Sequence, residues 1–345
     1  MKHIELRSDT FTLPTSEMRK AMYEAEVGND GNKEDPTVNK LEEKSASLMG
    51  KEAALFISSG TMGNLIANMS YGKECNEVIM ESGHHSLNNE FGGVSAIAHR
   101  IPRSMQGIKG KLPLEDIKRM MRAPGSDIST GLIWLENTHN NAGGVCLPLQ
   151  YINDVCDLAH ASNIPVHIDG ARIFNAAAAL KVSAKELCAS ADSVMFCLSK
   201  GLACPIGSML VGSKEFISRA RFNRKRLGGQ TRQAGIIAAA GLVALDQMID
   251  RLVEDNMNAH YLAEQLSVIP ELGIDLDSTQ TNMVFLNLSG KLMNRAKEFA
   301  ALLKEEDVSV NVRDVSTVRL VTHKDVSNND IKVVIPLIEK TVRRM

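Results

Sequence analysis

Five short runs of the chain are apolar at nearly every position: AALFIS (53–58), EVIM (77–80), GLIWLE (131–136), IPVHID (164–169) and SVMFCL (193–198). A strand with one wet face alternates apolar and polar residues, so a run without alternation reads as a strand covered on both faces. Between Pro14 and about Gly212 these runs alternate with segments of helical periodicity, the order that builds a mostly parallel sheet between helix layers. The helix starts have chemical reasons. PTSEMRKAMYEAE and PTVNKLEEKSASLMG both open on Pro-Thr, proline being tolerated in a first turn, and the second closes on Gly50. The expected architecture is a doubly wound, mostly parallel α/β sheet.

The pattern changes after QAGIIAAAGLVALDQMIDRLVEDNMNAHYLAEQL, a long helical region rich in small residues. Strand-like TNMVFLNL and STVRLVT, helix-like NRAKEFAALLKEE and a final helix from about Asn328 predict a smaller α+β unit. A single core stops growing at roughly 250 to 300 residues. For 345 residues two domains are therefore expected: 1–250, with an N-terminal arm over 1–14, and 251–345.

Lys and Arg total 39 against 41 Asp and Glu, a formal net charge of −2, without the basic footprint of a nucleic-acid binder. The six cysteines, Cys75, Cys146, Cys156, Cys188, Cys197 and Cys204, show no C-x-x-C spacing and read as reduced thiols. No stretch reaches the roughly 18 apolar residues of a membrane span, and the opening MKHIELRSDTFTLP lacks the apolar core of a secretory signal. A soluble cytoplasmic protein acting on small metabolites is expected, with neither nucleic acid nor membrane as partner.

In open α/β sheets ligands bind beyond the carboxyl ends of the strands, and three of the runs end in polar clusters. SSGTMGN (58–64) sets a glycine turn at a helix start, where exposed N–H groups and the helix dipole suit a phosphate; Gly60 and Thr61 are the candidate donors. Serine or threonine beside glycine is equally an ordinary helix cap. HIDGARIF (167–174) sets Asp169 at a strand end and Arg172 three residues on. Asp169 is either a cap for the next helix or a partner for a protonated pyridine nitrogen, keeping that ring an electron sink. Arg172 offers a fixed-charge fork for a carboxylate or a phenolic oxygen. MFCLSKG (195–201) puts Lys200 at the end of the most apolar run of the chain. An ammonium there is costly unless paired; a lysine so placed serves instead as an imine-forming amine. Asp169 precedes Lys200 by 31 positions, room for a helix and a strand, so both side chains reach one crevice.

Further blocks accompany these: LRSDT, EVG with EDPTVN, GKEAALF, SGTMGN, ENTHN, HIDGARIFNA, SVMFCLSKGL with PIGS, RQAGI with AAAG, TNMV and RLVTHKDVS. In this order, over nearly the whole chain, they resemble the low-specificity L-threonine aldolase family of fold type I enzymes that depend on pyridoxal 5′-phosphate (PLP). The resemblance implies a PLP-dependent aldehyde-lyase that cleaves β-hydroxy-α-amino acids, L-threonine and L-allo-threonine among them, to glycine and an aldehyde. It implies that Lys200 is the Schiff-base lysine and Asp169 the partner of the pyridine nitrogen. Gly60, Thr61 and Ser199 become contacts of the cofactor, and His85 the imidazole stacked on its ring, with His84 the competing neighbour. Ser8, Arg172 and Arg319 become the holders of the substrate carboxylate. Lys225 and Arg232 match positions that reach the cofactor phosphate across a dimer interface, which implies a homodimer or a dimer of dimers, a homotetramer. Lys225 also reads as an exposed helix charge. His85, or a water it orients, is the candidate base for the β-hydroxyl proton. No metal is expected.

The chain departs from the family pattern on the substrate's side. A Tyr-Gly pair ahead of the acidic block is replaced by Asn32 and Lys33, and GGGMRQ becomes GGQTRQ with Gln230 and Thr231. Aromatics after the stacking histidine are replaced by Asn88 and Asn89, and a second histidine is missing, with Ser126 near its place. Reaction type is not set by the scaffold, so a β-eliminating lyase, an aminotransferase or a transaldolase, and a non-catalytic PLP-binding homologue, stay open as alternatives.

Overall fold

The computed structural model describes every residue except Met1, Glu74, Pro124 and Asp127. Its strands in chain order are β1 (Ile4–Glu5), β2 (Ala53–Ile57), β3 (Glu77–Glu81), β4 (Ile101–Met105), β5 (Thr130–Glu136), β6 (Val166–Asp169), β7 (Ser193–Cys197), β8 (Ser208–Gly212), β9 (Met283–Asn287), β10 (Val308–Ser309), β11 (Asn311–Val312) and β12 (Thr317–Val321). Seven of them form one sheet in the order β2-β8-β7-β6-β5-β3-β4. Neighbours from β4 to β7 are parallel, while β8 runs antiparallel to both β7 and β2. The fold is α/β with a mostly parallel central sheet, and all five apolar runs are strands of it.

Strand alternation divides the side chains between two cores. Ile79, Ile133, Ile168, Val194 and Phe196 point to one face; Met80, Trp134, Met195 and Leu210 point to the other. Each such side chain contributes about 1.5–3 kcal/mol on burial. Two strands of the sheet are absent from the sequence-based expectation. β4 is an edge strand whose first residue, Ile101, is 38% exposed, so its sequence IPRSM mixes apolar with polar. β8 returns antiparallel with no helix ahead of it, through Gly207 at φ 113, so helix–strand alternation does not announce it.

The helical region 233–266 is two helices, Gly235–Gln247 and Leu252–Leu266. A second, smaller sheet, β11-β12-β9, is antiparallel. It packs with the helices Ala296–Glu305 and Asn328–Arg344 around its own core, which includes Phe299, Leu320, Ile331 and Val334. Ser327 and Asp330 form a reciprocal capping box that starts the last helix at Asn328. Ile4 and Leu6 belong to this core, because β1 pairs in parallel with β10. The N-terminal arm therefore begins in the smaller unit and then crosses to the large sheet, where the Thr12 hydroxyl donates to the Lys200 carbonyl at 3.0 Å.

Candidate active site

The carboxyl ends of β7, β6, β5 and β3 lie side by side. Each is followed by or ends on a polar residue: Lys200 past Cys197, Asp169, Glu136, and the pair His84 and His85 past Glu81. Register sets Asp169 opposite both Met195 and Glu136. Over this face lies the helix Gly60–Ser70, brought in by glycine. A Cβ on Gly63 would fall 2.4 Å from Ile57 Cδ1 and 2.7 Å from Met195 Cγ, and one on Gly60 2.8 Å from Cys197 Sγ. Ser59 caps this helix by accepting the Met62 N–H at 3.2 Å. The first-turn N–H groups of Gly60 and Thr61 have no intrahelical carbonyl to reach, so cap and anion seat coexist here.

The close helix delivers Asn64 to Asp169. Its amide Nδ2 donates to Asp169 Oδ2 at 2.8 Å and to Glu90 Oε1 at 3.0 Å. Glu90 Oε1 is also 3.0 Å from His85 Nδ1, and ligand atoms of His85, Glu90 and Asp169 all lie within 4.8 Å of one another. The second oxygen of Asp169 accepts the Ala171 N–H at 3.1 Å, so this carboxylate is a turn cap as well as a candidate site residue. Burial opposes its charge, but His85, His84 and Lys200, with the Asn64 amide, hold its pKa below the usual carboxylate range. Burial likewise works against charge on His85, and Glu90, Asp169 and Glu136 outweigh it to raise the imidazole pKa. His84 goes the other way: its ring is buried 4.9 Å from that of Trp134, its Nδ1 accepts the Ser86 N–H, and burial lowers its pKa. Of the two adjacent histidines, His85 meets the crevice and His84 the core.

Two arginines named from the sequence sit in opposite electrical situations. Arg172 gives Nε and one terminal nitrogen to the two oxygens of Asp9, each at 2.6 Å. Burial opposes the charge on Asp9, yet Arg172 and Lys200 hold its carboxyl far below its ordinary range. The fork of Arg172, expected to hold a ligand's carboxylate or phenolic oxygen, is thus largely engaged by Asp9. Next to Asp9, the Ser8 hydroxyl caps a short turn by accepting the Thr10 N–H. Arg319, 7% exposed, donates to Asn140 Oδ1 at 2.8 Å and to the Arg7 carbonyl at 3.2 Å. Among the described residues its Nε has no partner and no carboxylate pairs with it. Burial, with Arg172 and Arg313 nearby, pushes its pKa down to about 10. A buried cation without a counter-charge is costly, and an incoming anion removes that cost.

A second cluster lies just behind. Glu136 accepts the His85 N–H at 2.8 Å on one oxygen and the Asn140 N–H at 2.9 Å on the other. His139 Nε2, on a ring 2% exposed, is 3.2 Å from Glu81 Oε2 and 3.6 Å from Glu136 Oε2. Burial opposes its charge, but Glu136 and Glu81 raise its pKa, while Glu81 itself, against burial, is brought down to about 2 by His139 and the Gly107 and Gly83 N–H groups. One carboxylate thereby positions both the imidazole of His85 and the asparagine that holds Arg319. The ENTHN block carries Glu136, His139 and Asn140, yet nothing in its spacing shows that Glu136 grips a residue 51 positions away. Asp9, Asn64 and Glu90 join the candidate site through these contacts, and local sequence does not single them out.

A model of the β-eliminating lyases matches residues 5–289. The probable low-specificity L-threonine aldolase 2 of Arabidopsis thaliana is 41% identical over 99% of this chain and 97% of its own. The chain belongs to the low-specificity L-threonine aldolase branch of the β-eliminating lyase family. Leishmania major threonine aldolase shares its fold, with a TM-score of 0.82 at 18% identity over 98% of this chain and 99% of that one. So does an SPT structure with PLP as internal aldimine, with a TM-score of 0.77 at 17% identity over 99% and 88%.

The other positions taken from this family are placed as follows. Ser199 directly precedes Lys200 and gives its N–H to the Gly207 carbonyl at 3.2 Å. Lys225, in the last turn of the helix Lys214–Arg226, and Arg232 are exposed. Arg232 lines a cavity of about 400 Å³ together with Ser58, Arg224, Ile206 and Ile236. Where the family has aromatics, Asn88 donates to the Ser82 and His84 carbonyls and Asn89 meets Asn141. Asn32 and Ser126 are exposed, and Lys33 adopts a left-handed φ of 61. The donor set suits a group that carries an aldehyde, a basic ring nitrogen and a phosphate. An amine at a strand end, a buried acid kept ionised and free N–H groups at a helix start supply one partner for each. No helix among the described residues is long and apolar enough to cross a membrane.

Proposed function

We propose that this chain cleaves β-hydroxy-α-amino acids, with L-threonine and L-allo-threonine among its substrates, to glycine and an aldehyde, using PLP. The observation that carries the reading is the meeting of Lys200, Asp169 and His85 at neighbouring strand ends beside Arg319, a buried guanidinium with which no acid among the described residues pairs. When bound, PLP supplies an aldehyde that condenses with an amine and a cationic ring that takes up the electron pair left on Cα. Lys200 provides the amine that anchors it. Asp169, held ionised and oriented by Asn64, keeps the ring nitrogen protonated, Gly60 and Thr61 hold the phosphate end, and Ser199 is a further contact of the cofactor.

Arg319 seats the substrate carboxylate, which fixes the rotation about Cα and so selects the bond that breaks. Arg172 and Ser8 support that seat, Arg172 through the nitrogen that Asp9 leaves free. His85 takes the β-hydroxyl proton, directly or through a water; with Nδ1 on Glu90, its Nε2 is the nitrogen left for that transfer, and Glu90 stabilises the imidazolium formed. Return of a proton to Cα gives glycine. Lys225 and Arg232, exposed in the single chain, complete a neighbouring subunit's phosphate site in a homodimer or homotetramer, and we place the enzyme in the cytoplasm.

The test is product analysis on the PLP-loaded protein with L-threonine, L-allo-threonine and phenylserine, run beside serine and cysteine. Glycine plus the matching aldehyde is expected, and Lys200→Ala should abolish both turnover and the bound chromophore. The matching 2-oxo acid and ammonia as the main products, pyruvate in the case of serine and cysteine, or full cleavage by Lys200→Ala, would overturn the reading.

A further inference from the structure

Three arginines gather around the seat of Arg319: Arg172 and Arg313 lie near enough to act on its charge, and the Arg7 carbonyl accepts from it. Two have acids, Arg7 with Glu5 and Arg172 with Asp9. Among the described residues, neither Arg319 nor Arg313 has a carboxylate within ion-pair distance, their side chains being held by neutral oxygens. Asp314, the chain neighbour of Arg313, turns Oδ1 to the Ser316 N–H at 2.7 Å.

Sheet register puts the two unpaired arginines on one face. Asn311 lies opposite Arg319 and Val312 opposite Val318, and the Arg313 N–H continues the ladder to the Thr317 carbonyl at 2.8 Å. Arg313 and Arg319 are therefore diagonal neighbours, about 7–8 Å apart at the backbone. Consecutive asparagines receive them: Arg319 donates to Asn140 Oδ1 at 2.8 Å, Arg313 to Asn141 Oδ1 at 2.5 Å, and Asn140 Nδ2 donates to Asn141 Oδ1 at 3.1 Å. Asn141 Nδ2 in turn reaches the Gly83 carbonyl at 2.6 Å and Asn89 Oδ1 at 3.3 Å. Arg313 is thus tied to the loop that carries His85, on the side lined by Asn88 and Asn89. An α-carboxylate needs one of the two free guanidiniums, and one is left over.

We propose that Arg313 is a specificity-determining residue that selects β-hydroxy-α-amino acids whose β-substituent is anionic, the simplest bearing a carboxylate on Cβ. The inference rests on the retro-aldol reading. In the reaction with 3-hydroxyaspartate the Cα–Cβ bond breaks, the β-hydroxyl loses its proton and becomes the aldehyde of glyoxylate, and the electron pair ends in the new Cα–H bond of glycine. The second carboxylate passes through unchanged, and no oxidant or reductant is involved. Charge-assisted hydrogen bonds to that carboxylate favour the acidic substrate, and an uncharged side chain leaves the guanidinium unanswered.

The experiment compares kcat/KM for 3-hydroxyaspartate and threonine in PLP-loaded wild type, Arg313→Ala and Arg313→Lys. The wild-type ratio is expected to favour 3-hydroxyaspartate by about tenfold or more, to fall about 10- to 100-fold in Arg313→Ala, and to recover in part in Arg313→Lys. A ratio does not depend on the folded fraction of a variant. Calorimetric titration with L-aspartate and L-alanine, which lack the β-hydroxyl, reads the same seat without turnover: aspartate should bind about tenfold tighter to wild type only. Equal losses on both substrates, or aspartate no tighter than alanine, overturn the proposal. Failure of the aldol reading looks different, as no glycine from either substrate while the aspartate preference persists.

Discussion

The amide of Asn64 lies 2.8 Å from Asp169 Oδ2 and 3.0 Å from Glu90 Oε1, so one neutral side chain orients the two acids that flank His85. Replacing it with leucine leaves buried acceptors unanswered, at a cost of about 1–3 kcal/mol. Asn64→Leu is expected to lose that much stability in urea titrations and to bind PLP more weakly. Asn64→Asp should be worse for the cofactor, because a third acid raises the pKa of its neighbours. Unchanged PLP affinity in both variants would contradict the role given to Asn64.

His139 predicts a pH dependence. Burial resists its charge, but Glu136 and Glu81 raise its pKa in the folded state. A raised folded value gives stability that is complete below the unfolded value, near 6.5, and fades as pH rises through the folded one. Glu81, at about 2, stays ionised across this window. The stability gap between wild type and His139→Gln should therefore be wider at pH 6 than at pH 9, as read by urea titration at each. A gap that widens with pH would refute the ion-pair assignment.

Arg319 separates function from stability. Lysine cannot reproduce a two-pronged grip, so Arg319→Lys is expected to lose about 10- to 100-fold in kcat/KM, chiefly through KM. Arg319→Met removes an uncompensated buried cation, and its melting temperature should not fall even though amino-acid binding is lost. Paired calorimetry and steady-state kinetics check both halves, and a marked fall in melting temperature would show that Arg319 is a structural cation.

Arg224 is 2% exposed, pairs with Asp30 at 2.8 Å and donates to the Phe56 carbonyl at 2.7 Å. Burial lowers its pKa in spite of Asp30. Asp30→Ala strands this guanidinium and should cost about 3–5 kcal/mol by chemical denaturation. A loss below about 1 kcal/mol would mean that Glu42, the other acid near it, suffices.

How much of this was legible in the sequence follows from what each signal depends on. Runs such as SVMFCL are written locally, since a strand buried on both faces must be apolar throughout, and β7 is buried at all five positions. β4 escapes because an edge strand shares its composition with loops. Lys200 and Asp169 stand out because polar residues at the ends of apolar runs are rare enough to notice. Glu90, Asn64 and Asp9 do not: Asn64 meets Glu90 26 positions on and Asp169 105 positions on, and Asp9 meets Arg172 163 positions on. Arg172 shows the same limit, its charge being visible in the sequence and its pairing with Asp9 not.

The first dozen residues pair with β10 at Ile4, supply the acid for Arg172 at Asp9 and hydrogen-bond the Lys200 backbone at Thr12. This stretch works as a lacing thread, not a loose tail: any sliding of one half of the molecule against the other tugs on the counter-ion of Arg172 and on the main chain of the anchoring lysine at once. Trimming it would take Ile4 and Leu6 out of the smaller core and undo the seam between the two halves.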